Sequence, residues 1–382
     1  MELVDLIEPI DFDVFPSTVF SEGKVGVKIK YLTELSEPGT FSKREVVILG
    51  LLELGASNFG RDNYDALREA LYNMYDHFTM LKIRDLGNVK SGRTVVDTKV
   101  AFDEVIAEIT RQGAFPLVLG NQSSLFHVLF KRNQRDGNVI WFDSRIPSLK
   151  NDEVCGWNYH LQDEDKKMLI VLGTQKYLNS KTNMDDFQSF GGHHLGVGKI
   201  RDEMCLMEPE LRDSIAVGVH LDVMKSVDTP GGITPHPNGL SSTEMCQMMW
   251  YYGMGNRPSS LSFWGYHVDF DPTLLGAYSI AQMIWHFLMG LESFDNDFFT
   301  GTEAKCMDHY VIPLDSYGVV LYFMKHRISE RWWFAVQYNN LRSDYVSCLR
   351  EDYEFSRKGE ITERLWRYIV HKRMNVVHKD NS

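Results

Sequence analysis

Two places in this sequence carry the residue types that chemistry uses. One is FGGHHLGVG, Phe190 to Gly198, where adjacent histidines sit among four glycines. The other is a set of three segments, PLVLGNQSSL, VIWFDSRIPSL and VGVHLDVMKSVDTPGG, in which an apolar run gives way to Ser, Asp, Arg or His. Neighbouring side chains point apart, so His193 and His194 do not suit one metal ion; spacing of i, i+2 on a strand or i, i+4 on a helix would. No Lys-Ser/Thr follows a G-x-x-x-x-G, and no G-x-G-x-x-G follows a strand, so the stretch is neither a P-loop nor a dinucleotide fingerprint. It reads as a flexible loop entering a helix over Ile200–Leu206, with glycines that would let it cover a pocket mouth. In the three segments, His220, Asp222 and Ser123 make a candidate acid–base set.

The elements that must position these residues follow from hydrophobic pattern. Val46–Leu51, Phe115–Leu119, Val139–Phe142, Met168–Leu172 and Ile215–Leu221 are short runs rich in Val, Ile and Leu that end near Gly, Asp or Ser, as buried parallel strands do. Helical patterns lie between them. Asn63–Tyr75 places Leu67, Leu71 and Met74 on one face, and Asp97–Gln112 places Val100, Val105, Ile106 and Ile109 similarly. Ser241 to Glu244 puts hydroxyls where a helix N-cap belongs, and Ala281–Leu291 is a further apolar helix. Strand–helix alternation over some 290 residues implies an α/β fold of three layers, a central parallel sheet with helices on both faces. Ligands of such folds bind beyond the carboxyl ends of the strands, where the three segments lie. The sequence after about residue 300 changes character. YGVVLYFMKH and RWWFAVQY, joined by RISE, read as a β-hairpin, followed by a final helix near Ile361–His371. The expected division is therefore 1–299 for the α/β domain and 300–382 for a C-terminal appendage packed on it. Trp332 and Trp333 would sit in that packing or in a partner-binding patch.

Composition excludes several classes. A net charge of −12 argues against a nucleic-acid or anionic-membrane surface. The five cysteines are odd in number, far apart and without a C-x-x-C pair, so neither a disulfide framework nor a zinc knuckle is expected. Nothing in the sequence marks Cys155, just after the second of the three segments, as activated. The acidic start MELVDLIEPIDFDVF lacks a signal-peptide pattern and no window is apolar enough to span a membrane. The expected location is cytoplasmic.

The order and spacing of the three strand ends resemble the ureohydrolase family of arginases, agmatinases and formimidoylglutamases. There a strand ends in G-G-D-H-S, the next in D-A-H-x-D and a later one in S-x-D-x-D with a P-G a few residues on. VVILGLLE, YDALREALYNM, IRDLGNVKSGRTVVDTKVAFDEVI, LIVLGTQKYLN and HVDFDP extend the resemblance over most of the chain. GLSSTEMCQMMWYYGM, AQMIW and SERWW are similar to segments of the formimidoylglutamase-like branch seen in Bacteroidetes. The resemblance implies an arginase-like fold, and in the family those strand ends bind two manganese ions that activate a bridging hydroxide.

Aligned residue by residue, the implied ligand positions hold other chemistry. G-G-D-H-S becomes Gly120-Asn121-Gln122-Ser123-Ser124, with Ser123 at the metal histidine. D-A-H-x-D becomes Asp143-Ser144-Arg145-Ile146-Pro147, with Arg145 at the histidine and Pro147 at the second aspartate. Alignment through Pro230-Gly231 makes the D-x-D pair His220 and Asp222; a shift of two makes it Asp222 and Met224. The E-V-N-P glutamate becomes Asp269, which with Gln122 would line the pocket. A guanidinium is permanently charged and cannot ligate a metal. Arg145 is therefore expected to replace the metal charge and to pair with Asp143, Asp222 or Asp269.

Two readings of function follow. In one, the chain is a pseudoenzyme with a lost dimanganese site and no metal cofactor, retained to bind a small ligand in the former active site or a protein partner through the appendage, or to act as a scaffold. In the other, it is a C–N hydrolase of formimidoylglutamate or a related formimino or guanidino substrate, with an altered site and manganese as its cofactor.

Overall fold

A computed structural model of the chain describes residues 3–10, 20–32, 40–51, 60–121, 123–131, 133, 137–148, 167–255, 258–293, 306–338, 341–342 and 345–370. Among these described residues the main sheet has ten strands. In chain order they are β1 (Ile7–Glu8), β2 (Lys30–Tyr31), β3 (Val46–Leu51), β4 (Ile83–Val89), β5 (Phe115–Gly120), β6 (Asn138–Phe142), β7 (Met168–Thr174), β8 (His193–Gly196), β9 (Ser214–His220) and β10 (Ser260–Trp264). Their spatial order is β1-β4-β3-β5-β10-β9-β6-β7-β8, with β2 also on β4. Every pairing is parallel except β1 on β4.

Period-two alternation sends side chains to two cores. Val46 and Ile48 of β3, Leu117 and Leu119 of β5, and Ile140 and Phe142 of β6 face one of them. Val47 and Leu49, Val118, and Val139 and Trp141 face the other. Both faces are covered by helices, the three-layer arrangement expected of these strands. The helix Val95–Arg111 begins with a capping box in which Thr94 and Asp97 satisfy each other's backbone N–H. Ser241 and Glu244 do the same for the helix Ser242–Gly253. This helix packs against the helix Leu275–Glu292.

Three expectations change. Val100 is 54% exposed, because the helix Val95–Arg111 buries Thr98, Phe102, Val105, Ile106 and Ile109 and leaves Val100 on the opposite face. FGGHHLGVG is not a loop: His193–Gly196 forms the edge strand β8, paired with β7, and leads into a helix at Val197–Asp202 rather than one at 200–206. The C-terminal hairpin is part of a larger sheet. Among the described residues it has five antiparallel strands, β11 (Met307–Leu314), β12 (Val319–His326), β13 (Trp332–Tyr338), β14 (Leu341–Arg342) and β15 (Val346–Cys348). The RISE segment joins β12 to β13 as expected, and a helix spans 363–370.

The second sheet and the helix 363–370 meet the rest of the fold at the helix Met207–Arg212 and its cap Asp213, through buried polar contacts. Arg212 is buried, donates to the carbonyl oxygens of Trp332 (2.9 Å) and Cys348 (3.4 Å), and lies 4.8 Å from the Trp333 ring centre. Buried Glu210 receives Arg364 and Arg367, and Asp213 accepts from the Ser347 backbone and hydroxyl. Leu321, Phe323, Phe334 and Leu365 join the same apolar cluster as Leu211 and Met245.

Candidate functional site

The carboxyl ends of β5, β6, β9 and β10 lie side by side, since β10 pairs with both β5 and β9 and β6 pairs with β9. Asp143 follows β6 directly, and its backbone N–H donates to Leu172 O of β7 at 3.0 Å, carrying the ladder one residue further. Its two carboxylate oxygens are spoken for: Oδ1 accepts the Arg145 backbone N–H at 2.9 Å and Oδ2 accepts Trp141 Nε1 at 3.1 Å. Burial pushes the Asp143 carboxyl above its ordinary pKa, against the opposing pull of His220 and these donors.

The segment after Asp143 is pinned by residues that follow β7. Asn179 accepts the Ile146 N–H (2.7 Å) and donates to Ser144 O (2.9 Å), Gln175 N–H donates to Ser144 O (3.0 Å), and Asn183 donates to Ile146 O (3.0 Å). From this held turn the Arg145 guanidinium reaches across to β9, where Nη1 lies 3.1 Å from Asp222 Oδ2. Of the three acids considered as its partner, Asp222 is the one that meets it. The Arg145 side chain is 46% exposed and that of Asp222 11%.

His220 closes β9, and Leu221–Val223 forms a single 3-10 turn that turns Asp222 inward. The Asp222 backbone N–H donates to His220 Nδ1 at 3.2 Å. In a neutral imidazole the proton then sits on Nε2. That nitrogen faces Gly265, whose φ of +81° and whose place 2.9 Å from Nε2 at the Cβ position leave no room for a side chain. A second histidine joins the group: buried His236 has Nε2 3.3 Å from Asp222 Oδ2. His236 is held by a closed loop in which Ser226 N–H donates to His236 O (2.8 Å) and His236 N–H to Ser226 Oγ (2.7 Å). Asp222 thus has Arg145, His236 and His220 around one carboxylate. Sequence reasoning missed His236; in TPHPNG it is a lone histidine between prolines with no spacing that points at Asp222.

The remaining expected positions lie as follows. Ser123 is half-buried at the start of the 3-10 helix Ser123–Leu129, and Pro147 is half-buried beyond Arg145. Asp269 is exposed on the one-turn helix Val268–Phe270, while nearby Asp271 is buried and accepts from Tyr266 and the Ala277 N–H. Gln122 and Cys155 lie outside the described residues. His194 has Nδ1 3.3 Å from Thr174 Oγ1 and Nε2 3.2 Å from Gln188, contacts within its own edge of the sheet. Among the described residues no group of three His, Cys, Asp or Glu side chains is placed to hold a metal ion. None of the described helices is long and apolar enough to cross a membrane.

Comparison with known proteins places this geometry. The structure is similar to that of formimidoylglutamase from Bacillus subtilis, with a TM-score of 0.61 and 17% identity over 74% of this chain and 98% of that one. It is similar to Trypanosoma cruzi formiminoglutamase with two Mn2+ ions, with a TM-score of 0.58 and 18% identity over 66% of this chain and 95% of that one. Arginase from Bacillus subtilis gives 0.54 and 18%, over 64% and 98%. At these identities the likeness is one of fold. No curated protein sequence matches the chain. The model described as Arginase family matches residues 59–289, more than half of the 382, and the chain belongs to that family.

Proposed function

We propose that this chain keeps the arginase fold without two-ion hydrolysis and works by binding, through a small ligand at the former active site or a protein partner. The observation that carries the reading is Arg145, a guanidinium lodged against Asp222 at the position where the family pattern has a metal histidine. Of the six aligned positions, Asp143, His220 and Asp222 retain ligand chemistry, whereas Ser123, Arg145 and Pro147 do not. Two divalent ions need enough carboxylate and imidazole donors to offset +4 and fill two coordination shells. Two carboxylates, already accepting from Trp141, Arg145 and the neighbouring backbone, do not meet that need. A dication about 4 Å from a guanidinium would be opposed by several kcal/mol even at an effective dielectric constant of about 20.

The second reading, a C–N hydrolase with an altered site, rests on Asp143, His220, Asp222 and now His236 gathering at adjacent strand ends. One preparation separates the two. The chain is produced in manganese-supplemented medium, bound metal is counted by elemental mass spectrometry, and hydrolysis of formimidoylglutamate is assayed with added manganese. Near-zero manganese and no turnover are expected. Two ions per chain, or manganese-dependent turnover, would return the protein to the hydrolases.

A further inference from the structure

We propose that copies of this chain associate end to end: an apolar, acidic surface at one end of the helix Leu275–Glu292 docks on an apolar, basic surface at the other end of the same helix in a second copy. The proposal goes beyond the reading above and does not depend on whether the strand-end cluster holds metal.

The first surface lies at the N-terminal end of the helix, beside the carboxyl ends of β9 and β10. Val227, Ile233, Phe270, Leu275 and Tyr278 are between 44% and 75% exposed there. Three contacts hold their segments together. The His267 N–H donates to Gly231 O at 2.8 Å, the Thr229 and Ser279 hydroxyls are 2.8 Å apart, and Gly276 lies too close to Pro230 O for a Cβ to fit. Exposed apolar residues scattered singly need no account, whereas a group of them marks a contact surface. Segments 226–238 and 267–278 carry three aspartates and no lysine or arginine. Asp271 is buried against Tyr266, Asp228 is half-buried and Asp269 is exposed; Lys225, just before the first segment, is half-buried.

The second surface lies at the C-terminal end of the helix, by the amino ends of β2 and β4. Val27, Tyr75 and Met80 are between 57% and 84% exposed. Trp285 Nε1 donates to Tyr75 O at 2.9 Å, the Val25 N–H donates to Met74 O at 2.9 Å, and Glu292 accepts the backbone N–H groups of Thr79, Met80 and Leu81. Segments 22–30 and 74–82 carry four lysines against two acids, one of which, Asp76, is paired with Lys28. Lys24 sits 3.6 Å over the Tyr75 ring, and Lys30 and Lys82 are exposed. The helix has 18 residues and is therefore about 27 Å long. Two different surfaces that far apart make a heterologous contact, so each docked copy leaves one end open and association runs past two copies. The net charge of −12 opposes association at low ionic strength. At physiological salt the Debye length is about 8 Å, which screens that repulsion and leaves the local complementarity to act.

Sedimentation equilibrium of the full chain at physiological salt tests this. The average mass is expected to rise with concentration past that of two copies. Asp228→Lys with Asp269→Lys, and separately Lys24→Glu with Lys82→Glu, are expected to hold the mass at one chain, since each pair sets like charges on facing surfaces. Mixed in equal amounts, the two variants present opposite charges at both contacts and are expected to associate again, although each keeps a net negative charge, four units either side of −12. Ile233→Asp and Met80→Asp, at opposite ends, are each expected to abolish association. If a charge-reversed variant does not fold, Asp228→Asn with Asp269→Asn or Lys24→Gln with Lys82→Gln takes its place and is expected to weaken association about five- to tenfold. A parent that stays a single chain or stops at two copies, a mixture of the reversed variants that stays at one chain, or an assembly that survives I233D or M80D would overturn the proposal.

Discussion

Changing Asp85 to Ala is expected to be among the most damaging single substitutions in this chain, although Asp85 lies outside the candidate site. Asp85 on β4 and Arg68 on the helix Gly60–Tyr72 both have fully buried side chains. Arg68 donates Nε to Asp85 Oδ2 at 2.8 Å, Nη2 to Oδ1 at 3.3 Å and to Gly87 O at 2.9 Å, and Nη1 to Asn88 Oδ1 at 3.0 Å. Tyr72 and the Gly87 N–H also donate to Asp85. Removing the carboxylate leaves a buried guanidinium with the neutral acceptors of Gly87 and Asn88 and the more distant Asp65 carboxylate at 3.6 Å, a loss of about 3 kcal/mol. Arg68→Met leaves the carboxylate with Tyr72 and one backbone N–H and should cost a similar or slightly smaller amount. The pair acts as a unit, so R68M/D85A should fall short of the summed single losses by about 2–3 kcal/mol. The assay is equilibrium urea unfolding, read as a midpoint shift at constant slope; Asp85→Asn replaces D85A in the cycle if that variant does not fold. Additivity within about 0.5 kcal/mol, or a D85A midpoint indistinguishable from the parent, would refute the reasoning.

Two further expectations concern single groups. His127 is buried with Nδ1 donating to Ser124 O at 2.8 Å, and burial pulls its pKa down to about 4. The unfolded chain takes up that proton near pH 6.5 and the folded chain does not, so stability should fall as pH drops from about 6.5 toward 4, by roughly 3 kcal/mol at most. Urea midpoints for the parent and for His127→Gln across that range should converge at low pH if the argument holds. Cys205 is exposed, whereas Cys246 is buried with its thiol pushed up to about 11 and Cys348 is buried with its thiol held well above its ordinary value by that burial. Iodoacetamide at pH 8 should therefore label Cys205 well before the other two, as followed by peptide mass spectrometry.

The strands that were readable from the sequence are those whose buried side chains are all apolar. β3, the core of β6 and most of β9 are examples, and the ends of β6 and β9 carry Asp143 and Asp222, from which a pairing of Arg145 with an acid was expected. β4 was not read as a strand because IRDLGNV carries Arg84, Asp85 and Asn88 into buried or half-buried positions. Their partners, Glu45 for Arg84 and Arg68 for the other two, come from other elements. β10 was missed for a similar reason. Ser262 accepts Trp264 Nε1 at 2.8 Å, so a strand that looks polar in SLSFW is satisfied internally. His236 illustrates the other limit. Only a loop that folds back between Ser226 and His236 brings it to Asp222, and no local periodicity encodes such a closure.

The polar seam between the two sheets also bears on how the molecule comes apart. If the chain were cut near residue 300, Arg212 would lose the carbonyls of Trp332 and Cys348, Glu210 would lose two arginines, and Asp213 would lose Ser347. Each charge would be left facing a newly wetted apolar surface. The two sheets are therefore expected to melt as one cooperative unit. The C-terminal segment is expected to belong to the folding unit rather than to act as a detachable tag, and a shortened chain is expected to aggregate before it could report on whether that segment recognises anything.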